Sequence, residues 1–177
     1  MPALIKTVTL HSRIIGESDA TNLIILHGLL GSADNWITLA KRYSEKFRVH
    51  LVDARNHGRS PHNQVHSYPA MSEDLLEYMN ANEIQKAALI GHSMGGKTVM
   101  TFAEEHPERV TKMIIADIAP RAYSSYHLPI FEALKKTYPK NANSRDQVFE
   151  ILKSCLGDDI VLLPFLMKSV RREKSGG

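Results

Sequence analysis

Short apolar runs alternate with longer amphipathic stretches up to about residue 121, where the alternation stops. Residues 4–10 alternate loosely between apolar and polar and predict a strand, paired with a short one over 12–15. Residues 22–26 are a nearly unbroken apolar run ending at His27-Gly28, the pattern of a strand buried on both faces of a parallel sheet. Trp36, Leu39, Ala40 and Tyr43 recur at helical spacing within 35–46, and Ser32 or Asp34 could cap that helix. A strand over 47–52 leads into a loop rich in turn formers over 53–61, and then into a helix over 68–81 with Met71, Leu75, Tyr78 and Met79 on one face. A strand over 87–90, a helix over 94–105 that stops at Pro107, and a strand over 112–116 complete the alternation. Beyond it only helices are predicted, over 128–137, 144–155 and 158–170, the second opened by a capping box of Ser144 and Gln147.

The order β-α-β-α-β-α-β followed by helices predicts an α/β fold, a mostly parallel sheet flanked by helices over 1–122, with a separate helical segment over 123–177. Composition narrows the function classes. The longest near-apolar stretch, 160–167, is far short of the ~20 residues that cross a bilayer, so no stable membrane insertion is expected. Met1-Pro2-Ala3-Leu4-Ile5-Lys6 does not read as a secretory leader, and the expected location is the cytoplasm. A single cysteine, Cys155, excludes an internal disulfide and a cysteine-based zinc site, and its place on an apolar helical face predicts a core residue. The formal charge of +3 comes from basic residues scattered along the chain, apart from a cluster at 168–174, so nucleic acid is not an expected partner.

The chemistry centres on Gly91-His92-Ser93-Met94-Gly95, a G-x-S-x-G pentapeptide. Such a segment holds its central serine on a sharp turn between strand and helix, with small flanking residues that let the backbones pass. A random chain of this length contains the pattern roughly once in twenty trials at ordinary glycine and serine frequencies, so the bare motif says little. A predicted strand immediately before it, a helix immediately after it and a third glycine at Gly96 make it informative. His27-Gly28-Leu29-Leu30-Gly31 ends the second strand, which this architecture sets beside the serine. The Leu29 and Met94 N–H groups could there hold an oxyanion. His27 would sit under that turn and reads as a structural residue. Asp53, Arg55, His57 and Ser60 read as a turn fixed by internal hydrogen bonds. Asp117, at the end of the last strand, could orient a histidine base or cap the following turn.

Taken together, Asp53-Ala54-Arg55-Asn56-His57-Gly58-Arg59-Ser60-Pro61, Gly91-His92-Ser93-Met94-Gly95-Gly96-Lys97 and Asp117-Ile118-Ala119-Pro120 resemble the α/β-hydrolase superfamily. Within it the chain looks most like the small esterases and acyl-CoA thioesterases of the YbfF type. The resemblance implies Ser93 as nucleophile, Asp117 as acid, Leu29 and Met94 as oxyanion donors, no metal or organic cofactor, and a helical cap beginning after residue 121. It also implies chains of ~250 residues in which the acid is followed by further strands and a catalytic histidine. Of the nine histidines here only His127 follows Asp117, so the expectation is a fragment or truncated form of a serine ester or thioester hydrolase. An alcohol acyltransferase on the same scaffold and an inactive binding protein are the alternatives.

Overall fold

The computed structural model describes residues 6–123, 127–137 and 142–170, divided into two compact units, Met1–Pro120 and Arg121–Gly177. The first is built on a five-stranded sheet of β1 (Ser12–Ile15), β2 (Thr21–Leu26), β3 (Phe47–Val52), β4 (Ala87–His92) and β5 (Val110–Ala116), in the order β1-β3-β2-β4-β5. Only β1 runs antiparallel to its neighbour. Helices α1 (Ile37–Tyr43), α2 (Tyr68–Ala81) and α3 (Met94–Glu105) cover its two faces.

The apolar run of β2 serves both faces at once. Ile24 and Leu26 join Val52 and Leu89 against Leu75, Tyr78 and Met79 of α2 and Val99 and Phe102 of α3. Leu23 and Ile25 point the other way, with Val49, Leu51 and Ile90, against Ala40 of α1. A period of two in a strand covered on both sides produces this unbroken apolar reading. From β2 the chain moves to one side to form β3 and then to the other to form β4. The switch point between the carboxyl ends of β2 and β4 is where open α/β sheets hold their ligands.

The structure corrects several boundaries. Residues 6–10 form no strand, while Leu4 and Ile5 lie outside the described residues. Side chains bond the backbone here: the Val8 N–H donates to Asp74 Oδ1 at 2.8 Å and, just beyond the stretch, the His11 N–H to Ser60 Oγ at 2.8 Å. The helix expected over 35–46 begins as a 3-10 turn at Ala33–Trp36 and ends at Tyr43. In the second unit, α4 (Leu128–Lys136), α5 (Arg145–Leu156) and α6 (Leu162–Ser169) form, but α6 starts four residues late because Asp159 Oδ1 takes the Val161 and Leu162 N–H groups and caps it there. Ser144 caps α5 through the Gln147 N–H, and the Gln147 side chain reaches back to the Asn143 N–H instead of closing the box on Ser144. Cys155 is exposed, which corrects its expected core position: α5 buries only the stripe of Val148 and Leu152.

The deepest polar feature is an ion pair joining the 53–61 loop to α2. Arg55 and Asp74 are both buried, with Nε to Oδ2 at 2.6 Å and Nη2 to Oδ1 at 2.7 Å. Two further guanidinium N–H groups donate to the Val65 carbonyl at 2.9 Å and the Lys6 carbonyl at 3.2 Å. Two-point pairing with every guanidinium nitrogen engaged is what lets a buried pair offset its desolvation. Removing one partner strands the other charge. Asp74→Ala is therefore expected to cost about 3–5 kcal/mol in urea unfolding at pH 7, and the double replacement Arg55→Met with Asp74→Leu to recover part of it. A single-mutant cost below about 1 kcal/mol would show that the pair carries no such weight.

Candidate active site

Ser93 sits between β4 and α3 at φ 50°, a left-handed conformation that a serine adopts only under constraint. Two contacts impose it. The Ser93 N–H donates to the Ala116 carbonyl at 3.0 Å, fastening the turn to the end of β5. The strand and helix also pass too closely for side chains: a Cβ at Gly91 would run into the Gly95 carbonyl, and one at Gly95 into the Leu26 carbonyl. The expected elbow is therefore present, and no described side chain hydrogen-bonds the Ser93 hydroxyl.

The turn after β2 lies against it. A Cβ on Gly28 would fall 3.4 Å from Ser93 Cβ and 2.8 Å from His92 Nδ1. Gly31 N–H closes the four-residue turn on the Gly28 carbonyl at 3.0 Å, with Leu30 at φ 60°. Leu29 packs against a cluster of Ala54, Met71 and Met94, so the two residues expected to supply oxyanion N–H groups share one apolar patch. Met94 opens α3, and its N–H has no acceptor within the helix. The Leu29 N–H likewise has no partner among the described residues.

Asp117 follows Ala116 directly, at φ 57°, with a side chain 88% exposed. Its carboxylate takes no backbone N–H among the described residues, so it does not cap the turn. The imidazole brought near it is that of His92, with Nε2 3.7 Å from Asp117 Oδ2, beyond hydrogen-bond length. His92, inside the pentapeptide, escaped the sequence reading because nothing in the spacing shows which way that ring turns. His127, the other histidine considered, begins α4 in the second unit.

Beneath this edge lies a polar layer. Asp53 Oδ1 accepts the Ala33 N–H at 2.7 Å and Oδ2 the Arg59 N–H at 3.0 Å, while His11 Nδ1 lies 3.1 Å from Oδ2. Ser60 Oγ donates to the Asp53 carbonyl at 2.6 Å, so the loop is fixed internally as its composition suggests. His27 is buried, and its Nε2 accepts the Ala54 N–H at 3.0 Å, which leaves Nδ1–H to donate to the Gly28 carbonyl at 2.8 Å. Loss of solvation pushes its pKa down to about 4, so His27 is a neutral strut and not a base. Among the described residues one cluster could hold a cation, Glu73, Glu105 and His106, and it involves none of these residues.

With the geometry in view, comparison with known proteins gives the family. Residues 21–155 match the family described as alpha/beta hydrolase fold, and the chain belongs to it. It is 40% identical over 148 residues to "Esterase YbfF" of Escherichia coli, an alignment covering 83% of this chain and 58% of that protein. It is 38% identical over 151 residues to "sn-1-specific diacylglycerol lipase ABHD11" of Danio rerio, covering 78% and 47%. A solved structure described as "Marine microorganism esterase" superposes with a TM-score of 0.92 at 43% identity, covering 96% of this chain and 67% of that one. The chain thus spans about half the length of these curated relatives. The three proteins just named are described as esterases or a lipase.

His50 shares the behaviour of His27: it is fully buried in β3, and desolvation lowers its pKa to about 4. In the unfolded chain both return toward 6.5, so the unfolded state binds more protons between pH 6.5 and 4. Stability is complete above pH 6.5 and falls as pH drops toward about 4, by roughly 1–2 kcal/mol per histidine at pH 5. Urea midpoints at pH 7.5, 6 and 5 should fall in that order. A flat series would show that neither histidine is held neutral.

Proposed function

We propose that this chain carries the nucleophile, acid and oxyanion donors of a serine hydrolase acting on small acyl esters or thioesters. The observation that carries the reading is the strained Ser93, held by Ala116 and set against the Gly28 turn at the switch point of the sheet. In this mechanism Ser93 Oγ attacks the acyl carbonyl while an imidazole removes its proton. The Leu29 and Met94 N–H groups receive the negative charge that develops on the carbonyl oxygen, aided by the positive end of α3. The imidazolium returns the proton to the departing alcohol or thiol, leaving an acyl group on Ser93. A water, deprotonated by the same imidazole, then releases the acid. Asp117 orients that imidazole and stabilises its cation. The base is a histidine from outside residues 21–155, the region that matches the family. What supports Asp117 in this role is its strand-end position, one residue from the carbonyl that fastens Ser93, with a carboxylate engaged in no cap.

Ser93→Ala in the complete protein is expected to lower turnover of short p-nitrophenyl esters by ~10⁴ to 10⁶ while leaving the unfolding midpoint unchanged. Activity near that of the unmodified protein would remove Ser93 from the mechanism. Adding an alcohol acceptor and analysing products distinguishes hydrolysis from acyl transfer, since new ester would accumulate only in the second case. For the acid, Asp117→Asn should reduce kcat by orders of magnitude with little change in KM, because a neutral amide neither selects the imidazole tautomer nor stabilises its cation. A loss under about tenfold would assign the role to another carboxylate.

A further inference from the structure

The 28–31 turn holds a leucine where turns ordinarily use glycine. Leu30 has φ 60° at the third position of the turn, and such a conformation persists only where surrounding bonds enforce it. One bond reaches Leu30 from the 53–61 loop: the Leu30 N–H donates to His57 Nε2 at 3.1 Å. The His57 tautomer is set from its other side, where Nδ1–H donates to the Arg55 carbonyl at 2.9 Å, leaving the Nε2 lone pair free to accept. Arg55 is itself anchored by Asp74 of α2.

We propose that His57 is a positioning residue for the oxyanion turn: its Nε2 accepts the Leu30 N–H and so sets where the neighbouring Leu29 N–H lies relative to Ser93. The inference deepens the hydrolase reading and rests on Leu29 as an oxyanion donor. It also carries a pH consequence. An imidazolium has a donor on both nitrogens, so protonating His57 would set two N–H groups against each other and release Leu30. The groups around His57 act on that proton in both directions. The His27 ring is 5.1 Å away and the His66 ring 5.8 Å, centroid to centroid. Burial and the charge of His62 hold the proton off, whereas Asp53 and the bond to the Arg55 carbonyl favour it. Burial is the largest of these effects, and His57 is displaced below its ordinary value and neutral at pH 7.

The test is solution NMR on the 177-residue chain and on His57→Ala and His57→Gln, because the glutamine carbonyl can accept at the same place and does not titrate. In the unmodified chain, the imidazole ¹⁵N shifts should report an Nδ1–H tautomer, and the Leu29 amide resonance should move with pH at the midpoint of His57. Leu30 amide protection from exchange should fall at least tenfold in His57→Ala and be retained in His57→Gln, where the pH-linked movement of Leu29 disappears. If His57→Ala does not fold, the titration of the unmodified chain and the glutamine variant still decide. Unchanged Leu30 protection in His57→Ala, loss of that protection in His57→Gln, or a Leu29 resonance that ignores the His57 titration would overturn the proposal. In the complete enzyme, His57→Ala should lower kcat for p-nitrophenyl esters at least tenfold with less change in KM. His57→Gln should recover part of that loss and shift the acid limb of kcat to lower pH. Absent turnover in the unmodified enzyme with the NMR signature intact would refute the hydrolase reading and leave the turn-setting role of His57 standing.

Discussion

Three buried polar side chains in one short loop hold the carboxyl edge of the sheet together. Asp53, Arg55 and His57 are each less than a tenth exposed, and each reaches a different part of the chain. Asp53 gathers the amides of Ala33 and Arg59, Arg55 locks onto α2, and His57 takes the Leu30 amide. Buried polar groups are costly unless paired, so a set this well satisfied tolerates few alternative arrangements of the segments it joins. The rigidity of the edge follows from this layer rather than from the apolar core. Core clusters on the two faces of the sheet position strands and helices, but they do not specify loop conformation to fractions of an ångström.

That precision is used where backbone strain is stored. Leu30, Ser93 and Asp117 all have positive φ without being glycine, and they lie at the carboxyl ends of β2, β4 and β5 respectively. Each such residue costs of order 1–3 kcal/mol and persists only where its neighbours enforce it. Here the enforcing contacts are the His57 bond to Leu30 and the Ala116 carbonyl on Ser93, the residue beside Asp117. Asn56, past the carboxyl end of β3, joins these three residues at this edge, while Glu83, at φ 56°, lies at the other edge before β4, so most of the strained residues gather on the side that carries Ser93. This gathering agrees with the position of that edge at the switch point.

Most of this architecture was legible in the residues. The nearly unbroken run at 22–26 fitted a two-sided strand, and the strand–Gly-x-Ser-x-Gly–helix context located the elbow. The loop over 53–61 was readable as a self-bonded turn, and His27 as a strut. What could not be read was direction and partnership. That Arg55 turns inward to Asp74, nineteen residues on, depends on how α2 docks, and no local pattern encodes it. The same holds for His57 reaching back to Leu30 and for His92 facing Asp117. Residues 6–10 failed as a strand for a related reason: their alternation was genuine, but the Val8 N–H goes to the Asp74 side chain and, next along, the His11 N–H to Ser60. Cys155 failed because a small helical unit buries a narrower stripe than helical periodicity alone suggests.

As the acid of the proposed mechanism, Asp117 would impose a requirement on the rest of the fold. Asp117 ends β5, which occupies an edge of the described sheet and exposes Met113 by 52% and Ile114 by 58%. A carboxylate 88% open to water is screened, and it orients an imidazole weakly unless the pair is shielded. An apolar edge strand is likewise a surface that proteins normally pair or cover. One event would meet both needs. A strand laid parallel along the free side of β5 would satisfy its backbone, shelter Met113 and Ile114, and finish with its carboxyl end beside Asp117, since parallel strands deliver their ends to the same edge. Any group entering the site from that strand's following loop would approach Asp117 and Ser93 together. In the proposed mechanism, covering the edge and bringing a base beside Asp117 are thus linked by geometry, since such a strand would do both.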